Sequence, residues 1–241
     1  MRVAVTQPNF LPWLGYFALL DQIDLWVSLD NVQHVRRSFI VRNRIKSPDG
    51  AVRWLTVRLE HAPQTAKINQ VRLHPSDWWG EHLDLIRESY QKAPYFPVFF
   101  EELAELLPPR PDESTLGEYN RRIVMELSRY LGITVESREA SEICPILEGS
   151  PEEKILTICD RLKPSEFYNF QTGVEVGLYH PEAFHQHGMK LFKQTYRHPE
   201  YQQQGSGFVP YLSVIDLIFN VGPEAALNVI RSGSEWTRPQ E

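Results

Sequence analysis

Cysteine is scarce in this sequence: Cys144 and Cys159 are the only two among 241 residues. Two cysteines without metal-ligand spacing build neither a disulfide framework nor a thiolate metal site, so both are read as reduced thiols. Long hydrophobic runs are missing as well. The apolar stretch Leu11–Leu20 is broken by Pro12 and Gly15 and followed by Asp21 and Asp24. It is too short to span a bilayer and lacks the small-residue cleavage site of a secretory signal. A cytoplasmic protein without a membrane span is expected. Positive charge is in deficit, with 25 Lys+Arg against 31 Asp+Glu for a net charge of −6. That balance argues against a generic nucleic-acid binder, and no DNA partner is expected. There is no phosphate-loop, dinucleotide glycine fingerprint or Gly-x-Ser-x-Gly elbow. The eight histidines are scattered. His185 and His187 lie two apart on an expected helix and point to nearly opposite sides, so no metal site is expected.

What is present is a core-forming chain, 42% hydrophobic. Arg2–Thr6 reads as a buried strand, Leu14–Gln22 as an apolar helix and Asp24–Leu29 as a second strand, the opening of a βαβ unit. Pro48-Asp49-Gly50 sits between Ser38–Ile45 and Val52–Leu59 as the turn of an inserted β-hairpin. Helices are expected over 77–91, 98–107 and 115–131, with prolines 108, 109 and 111 as a stiff linker. Strands at 133–137, 166–169 and 189–194 and helices at 151–161, 181–187, 213–220 and 224–231 continue the alternation. The expected fold is a Rossmann-like, nucleotidyltransferase-like α/β domain over 1–231 with a mostly parallel sheet. A hairpin insertion (38–59) and a helical insertion (76–131) interrupt it, and 232–241 is a frayed tail.

Three clusters could carry chemistry. Gln7, Asn9, Trp13 and Tyr16 leave the first strand and enter a helix, which places amides and stacking rings beside an anion-ready helix end. After the second strand come Asp30, Gln33 and His34, a candidate base and a candidate acid or base. Arg36, Arg37, Arg42, Arg44 and Lys46 follow without an intervening acid. Arg42, Arg44 and Lys46 share one face of a strand and suggest a phosphorylated or carboxylate-bearing ligand. The third cluster comprises Gln171, Gly173, Tyr179 and Tyr201, with Asp216 inside an apolar helix, where a buried carboxylate needs a partner such as a cap or an arginine.

The stretches Gln7–Phe17, Asp30–Gln33, Arg42–Lys46, Leu55–Val57, Tyr90–Pro94 and Leu212–Gly222 together resemble the WbqC-like family, whose members occur in bacterial O-antigen and related sugar-biosynthesis clusters. The resemblance implies transfer of glycine or another small acyl group to an amino sugar. On that reading the partners are a nucleotide-linked or phosphorylated sugar and an activated amino-acyl donor. Gln7, Asn9, Tyr16, Arg42, Arg44 and Lys46 would hold phosphates, Asp30 or His34 would take the proton, and Asn43 would donate to an oxyanion. The layout of the opening is also similar to pantothenate-synthetase-type nucleotidyltransferases, an analogy that brings ATP and magnesium as cofactors. Both histidines of the His-x-Gly-His motif of those enzymes are replaced here. The alternatives are a non-catalytic binder of a phosphorylated glycan precursor and an ATP-dependent nucleotidyltransferase or ligase-like enzyme.

Overall fold

Val3, Ala4 and Val5 are all buried, and they divide between two apolar layers. Val3 and Val5 join Leu25, Val27, Phe167 and Leu191, whereas Ala4 joins Trp26 and Tyr168. Side chains alternate along a strand, so a strand apolar on both faces must be covered on both faces. The structure, a computed structural model, describes residues 1–110, 113 and 115–238.

The chain opens with β1 (Arg2–Thr6), α1 (Leu14–Leu20) and β2 (Leu25–Ser28), then a hairpin of β3 (Arg42–Lys46) and β4 (Val52–Thr56). Three helices follow: α2 (Trp78–Tyr90), α3 (Phe96–Leu106) and α4 (Leu116–Tyr130). Next come β5 (Glu136–Glu139), α5 (Ala140–Ile143), α6 (Pro151–Leu162), β6 (Glu166–Phe170) and α7 (Gln171–Glu175). The chain finishes with α8 (Pro181–Gln186), β7 (Lys190–Tyr196), α9 (Val214–Val221), α10 (Pro223–Ser232) and β8 (Ser234–Thr237). Local chemistry sets several boundaries. Asp77 accepts from Gly80 N to cap α2, and the Thr115/Glu118 and Ser150/Glu153 pairs are capping boxes for α4 and α6. At the hairpin turn Gly50 holds φ +86°, and Ala51 N donates to Asp49 Oδ1.

The main sheet has the order β5-β2-β1-β6-β7-β8, parallel except for β8. It is a Rossmann-like α/β arrangement with a separate antiparallel hairpin. Ile45 and Leu55 of the hairpin are fully buried in the same cluster as Ala4 and Trp26. From β1 the chain builds outward through β2 and β5, then crosses back to place β6 on the other side of β1. No helix among the described residues is long and apolar enough to cross a membrane.

The tail departs from expectation. Ser234–Thr237 is not frayed but pairs with β7, Trp236 lying opposite Gln194. The Trp236 ring packs at 5.1 Å against Tyr168, so a single tryptophan gives a polar segment its anchorage. Residues 239–241 of that tail and Pro111 of the proline linker lie outside the described residues.

Candidate functional site

In an open α/β sheet the crevice for ligands lies beyond the carboxyl ends of the strands, where the strand order reverses. Here that point is between β1 and β6, and a cleft occupies it. The cleft has two lobes of about 730 and about 490 Å³. Asn9, Asn169, Phe170, Leu178 and Tyr179 line both.

The floor follows directly from the ends of the strands. Trp26 Nε1 donates to Thr6 Oγ1 at 2.9 Å, and the Tyr16 hydroxyl donates to the Gln7 carbonyl at 2.9 Å. With its one proton so engaged, Tyr16 accepts from the Thr6 hydroxyl, 2.9 Å away. Burial pushes the Tyr16 phenol well above its ordinary range. This buried triad fixes the backbone at the end of β1. The half-buried side-chain amides of Gln7 and Asn9 engage no other described residue and line the cleft.

From β6 come Asn169, which is 5% exposed, and Phe170. The ring of Tyr179 lies over Gly173, where a Cβ would sit 2.7 Å from it. Burial raises the Tyr179 hydroxyl above the ordinary phenol value, partly offset by a hydrogen bond with Asn169. Gln171 accepts from Thr195 and donates to Glu175, which puts one carboxylate on the rim of the larger lobe. Gln194 of β7 donates to Gly15 O and Ser234 Oγ, both at 3.1 Å, while its Oε1 is buried without a partner. The larger lobe also carries an aromatic wall. Trp13 meets Tyr196 edge-on at 5.1 Å, Tyr211 at 5.5 Å and Phe170 at 6.2 Å.

Two residues expected to touch substrate hold the cleft in shape instead. Asn43 Nδ2 donates to Leu11 O at 2.6 Å and Phe10 O at 3.2 Å, and its Oδ1 accepts from Arg44 N. At 1% exposure it is a brace, not an oxyanion donor. Arg44 donates to Tyr211 O at 2.9 Å. Leu11 and Tyr211 both hold left-handed backbone, at φ +43° and +59°. Such conformations persist in side-chain-bearing residues only where the surroundings enforce them. The hairpin therefore fixes the loops that carry Asn9, Trp13 and Tyr211.

Other expectations are corrected. Asp30 is 1% exposed. Its Oδ1 accepts from Ser141 N, and its Oδ2 accepts from Ser141 Oγ and Asn69 Nδ2. It does not line the cleft, and three hydrogen bonds within the fold engage its carboxylate. Lys46 is fully buried, with Nζ donating to the Ser206 and Gly207 carbonyls and to Gln203 Oε1. Its parity matches Arg42 and Arg44, but the 203–207 loop covers it. Tyr201 donates to Asp216 Oδ2, and Tyr90 to Asp216 Oδ1, so two phenols, and no arginine, satisfy that buried carboxylate. His34 and Arg42 line a different pocket. Gln33 does line the smaller lobe, though its amide donates to Gln64 O. The start of α1 is not an open anion site. The helix has seven residues, and the Trp13 ring covers Gly15 so closely that a Cβ there would lie 2.1 Å from it.

Sequence reasoning missed Gln194, Thr195, Tyr196, Tyr211 and Lys154, which line the cleft. The available signal was the run Gln194-Thr195-Tyr196, polar at the carboxyl end of a strand, as Gln7 is.

The sequence profile of the WbqC-like protein family matches residues 7–227, from the loop after β1 into α10, and so takes in all of the cleft's lining but Val5 and Thr6. The chain belongs to the WbqC-like protein family. It is also 30% identical over 230 residues to uncharacterized protein Rv1507c of Mycobacterium tuberculosis (strain ATCC 25618 / H37Rv), an alignment covering 93% of this chain and 95% of the relative. No solved structure matches the chain significantly.

The analogy that brings ATP and magnesium turns on the opening of α1. Trp13-Leu14-Gly15-Tyr16 presents a ring and a buried phenol where nucleotidyltransferases of that layout hold triphosphate. Among the described residues no three His, Cys, Asp or Glu side chains are grouped to hold a metal ion.

Proposed function

We propose that the cleft between β1 and β6 binds the sugar of a nucleotide-linked or phosphorylated amino sugar. We further propose that the protein transfers a glycyl or other small acyl group to its amine in surface polysaccharide biosynthesis. The observation that carries this reading is the lining. Free amides on Gln7 and Asn9, polar groups on Asn169, Gln171, Thr172 and Tyr179, and the stacking faces of Trp13 and Tyr196 suit a polyhydroxylated ring. Such a ligand offers many donors and acceptors together with apolar C–H faces. Lys154 lines the smaller lobe and supplies a cation for a phosphate.

In the transfer the sugar amine attacks the acyl carbonyl of a pre-activated donor. A C–N bond forms, the donor's thiol or hydroxyl departs, and the amine gives up a proton. In this reading Glu175, the carboxylate that lines the larger lobe, takes that proton in place of Asp30. Purified protein is incubated with nucleotide-linked amino sugars and a glycyl thioester or glycyl-tRNA, and the sugar is followed by mass spectrometry. The expected result is acylated sugar, lost in Asn9→Ala and much slowed in Glu175→Gln.

A second reading, a non-catalytic binder of a phosphorylated glycan precursor, is favoured by the use of Asp30's oxygens within the fold. It predicts sugar affinity that depends on Asn9, with no product from any donor and no effect of Glu175→Gln.

A further inference from the structure

The arginines that stay out of the cleft form a pocket of their own. Arg36, Arg37 and Arg42 border a cavity of about 400 Å³ whose floor includes the buried residues Val41, Val57 and Val71. None of the three guanidinium groups makes an ion pair with a described residue. Arg42 lies 4.2 Å over the Trp54 ring. The one acid lining the pocket, Glu60, is paired with Arg72 at 3.8 Å. His34 completes the wall, its backbone N–H donating to Ala66 O at 2.9 Å and its Nε2 buried without a partner. Arg37 holds left-handed backbone at φ +59°, unfavourable for a residue with a Cβ and typical of loops shaped around a ligand.

Three like charges gathered in a chain of net charge −6 repel one another, and no carboxylate of the pocket relieves them. Guanidinium groups are matched best by the oxygens of a phosphate, which can accept from several forks at once. The valine floor calls for an apolar or ring-shaped body beside that anion, and the volume suits one small molecule. We propose that this pocket is a second binding site, separate from the cleft, for a small organic phosphate. Its phosphoryl group sits among Arg36, Arg37, Arg42 and His34, and its ring or apolar part rests on Val41, Val57 and Val71. The segment that lines the cleft with Leu29, Val32 and Gln33 continues directly into this pocket with His34, Arg36 and Arg37. The site does not depend on what the cleft binds.

Titration calorimetry with phenyl phosphate, benzoate and inorganic phosphate at about 0.15 M salt tests it, since loose surface pairing is screened there. The expected result is one saturable phenyl phosphate site per chain, about tenfold tighter than for either comparison compound. Arg36 and Arg37 are exposed, so the double variant Arg36→Ala/Arg37→Ala keeps the wild-type melting temperature. It weakens phenyl phosphate by about tenfold or more, given what each hydrogen bond to a charged group contributes. Gln7→Ala leaves the binding unchanged. Absence of saturable binding, equal affinity for benzoate, or indifference to the double substitution would overturn the proposal. So would a short single-stranded RNA that binds through the same arginines more tightly than phenyl phosphate, because the arginines would then form part of a polyanion track.

Discussion

Arg44 donates to the carbonyl of Tyr211 at 2.9 Å, and Tyr211 is held at φ +59° with its ring against Trp13. A cation on the hairpin thus sets the position of an aromatic wall formed 167 residues later in the chain. Arg44→Ala releases that loop without touching the ligand. Affinity for a nucleotide-linked amino sugar is expected to fall about tenfold, the equivalent of one charge-assisted hydrogen bond. Calorimetry against the wild type checks it, and an unchanged affinity would remove Arg44 from the site's support.

Asp30 joins the end of β2 to α5 through both groups of Ser141 and to Asn69 through one more bond. In Asp30→Asn an amide replaces one of these acceptor oxygens in a buried place. The expected loss is about 1–3 kcal/mol of stability, read as a lower midpoint in urea unfolding. A variant with unchanged stability and no turnover would restore Asp30 as the catalytic base.

Asp216 ties α9 to Tyr90 and Tyr201. Burial raises it from 3.8 to about 6, against the opposing hydrogen bonds of the two tyrosines and the nearby Lys46. The folded protein then keeps a proton that the unfolded chain releases near pH 4. This group's contribution is therefore fully present below about pH 4, falls as pH rises to about 6, and is level above that. The gap corresponds to about 3 kcal/mol. Urea unfolding at several pH values for wild type and Asp216→Asn checks the sign: the difference between them shifts in the variant's favour from pH 4 to 7. A difference that is constant with pH would contradict it.

Strand β1, the Pro48–Gly50 turn and the helices that begin near Thr115 and Pro151 were legible because their causes lie within a few residues. Gln7, Asn9 and Tyr179 could also be picked out, as polar or aromatic residues where strands end. Hidden were the relationships that cross the chain. Nothing near Asp30 reveals that Ser141 occupies its oxygens, and nothing near Lys46 reveals the loop that buries it. Charge and parity put Arg42, Arg44 and Lys46 on one strand face. Packing then sent them to three different tasks: a pocket, a brace and a buried anchor. The tail was misjudged because pairing with β7 and one ring contact from Trp236 outweigh its polar composition.

The most direct test of the central claim is a chemical-shift map of the backbone amides during titration with a nucleotide-linked amino sugar. Saturable shifts are expected at Gln7, Asn9, residues 169–179 and residues 194–196, with the amides of Asn69 and Ser141 around Asp30 unmoved. Shifts centred on Asp30, or saturable shifts confined to the hairpin, would contradict it.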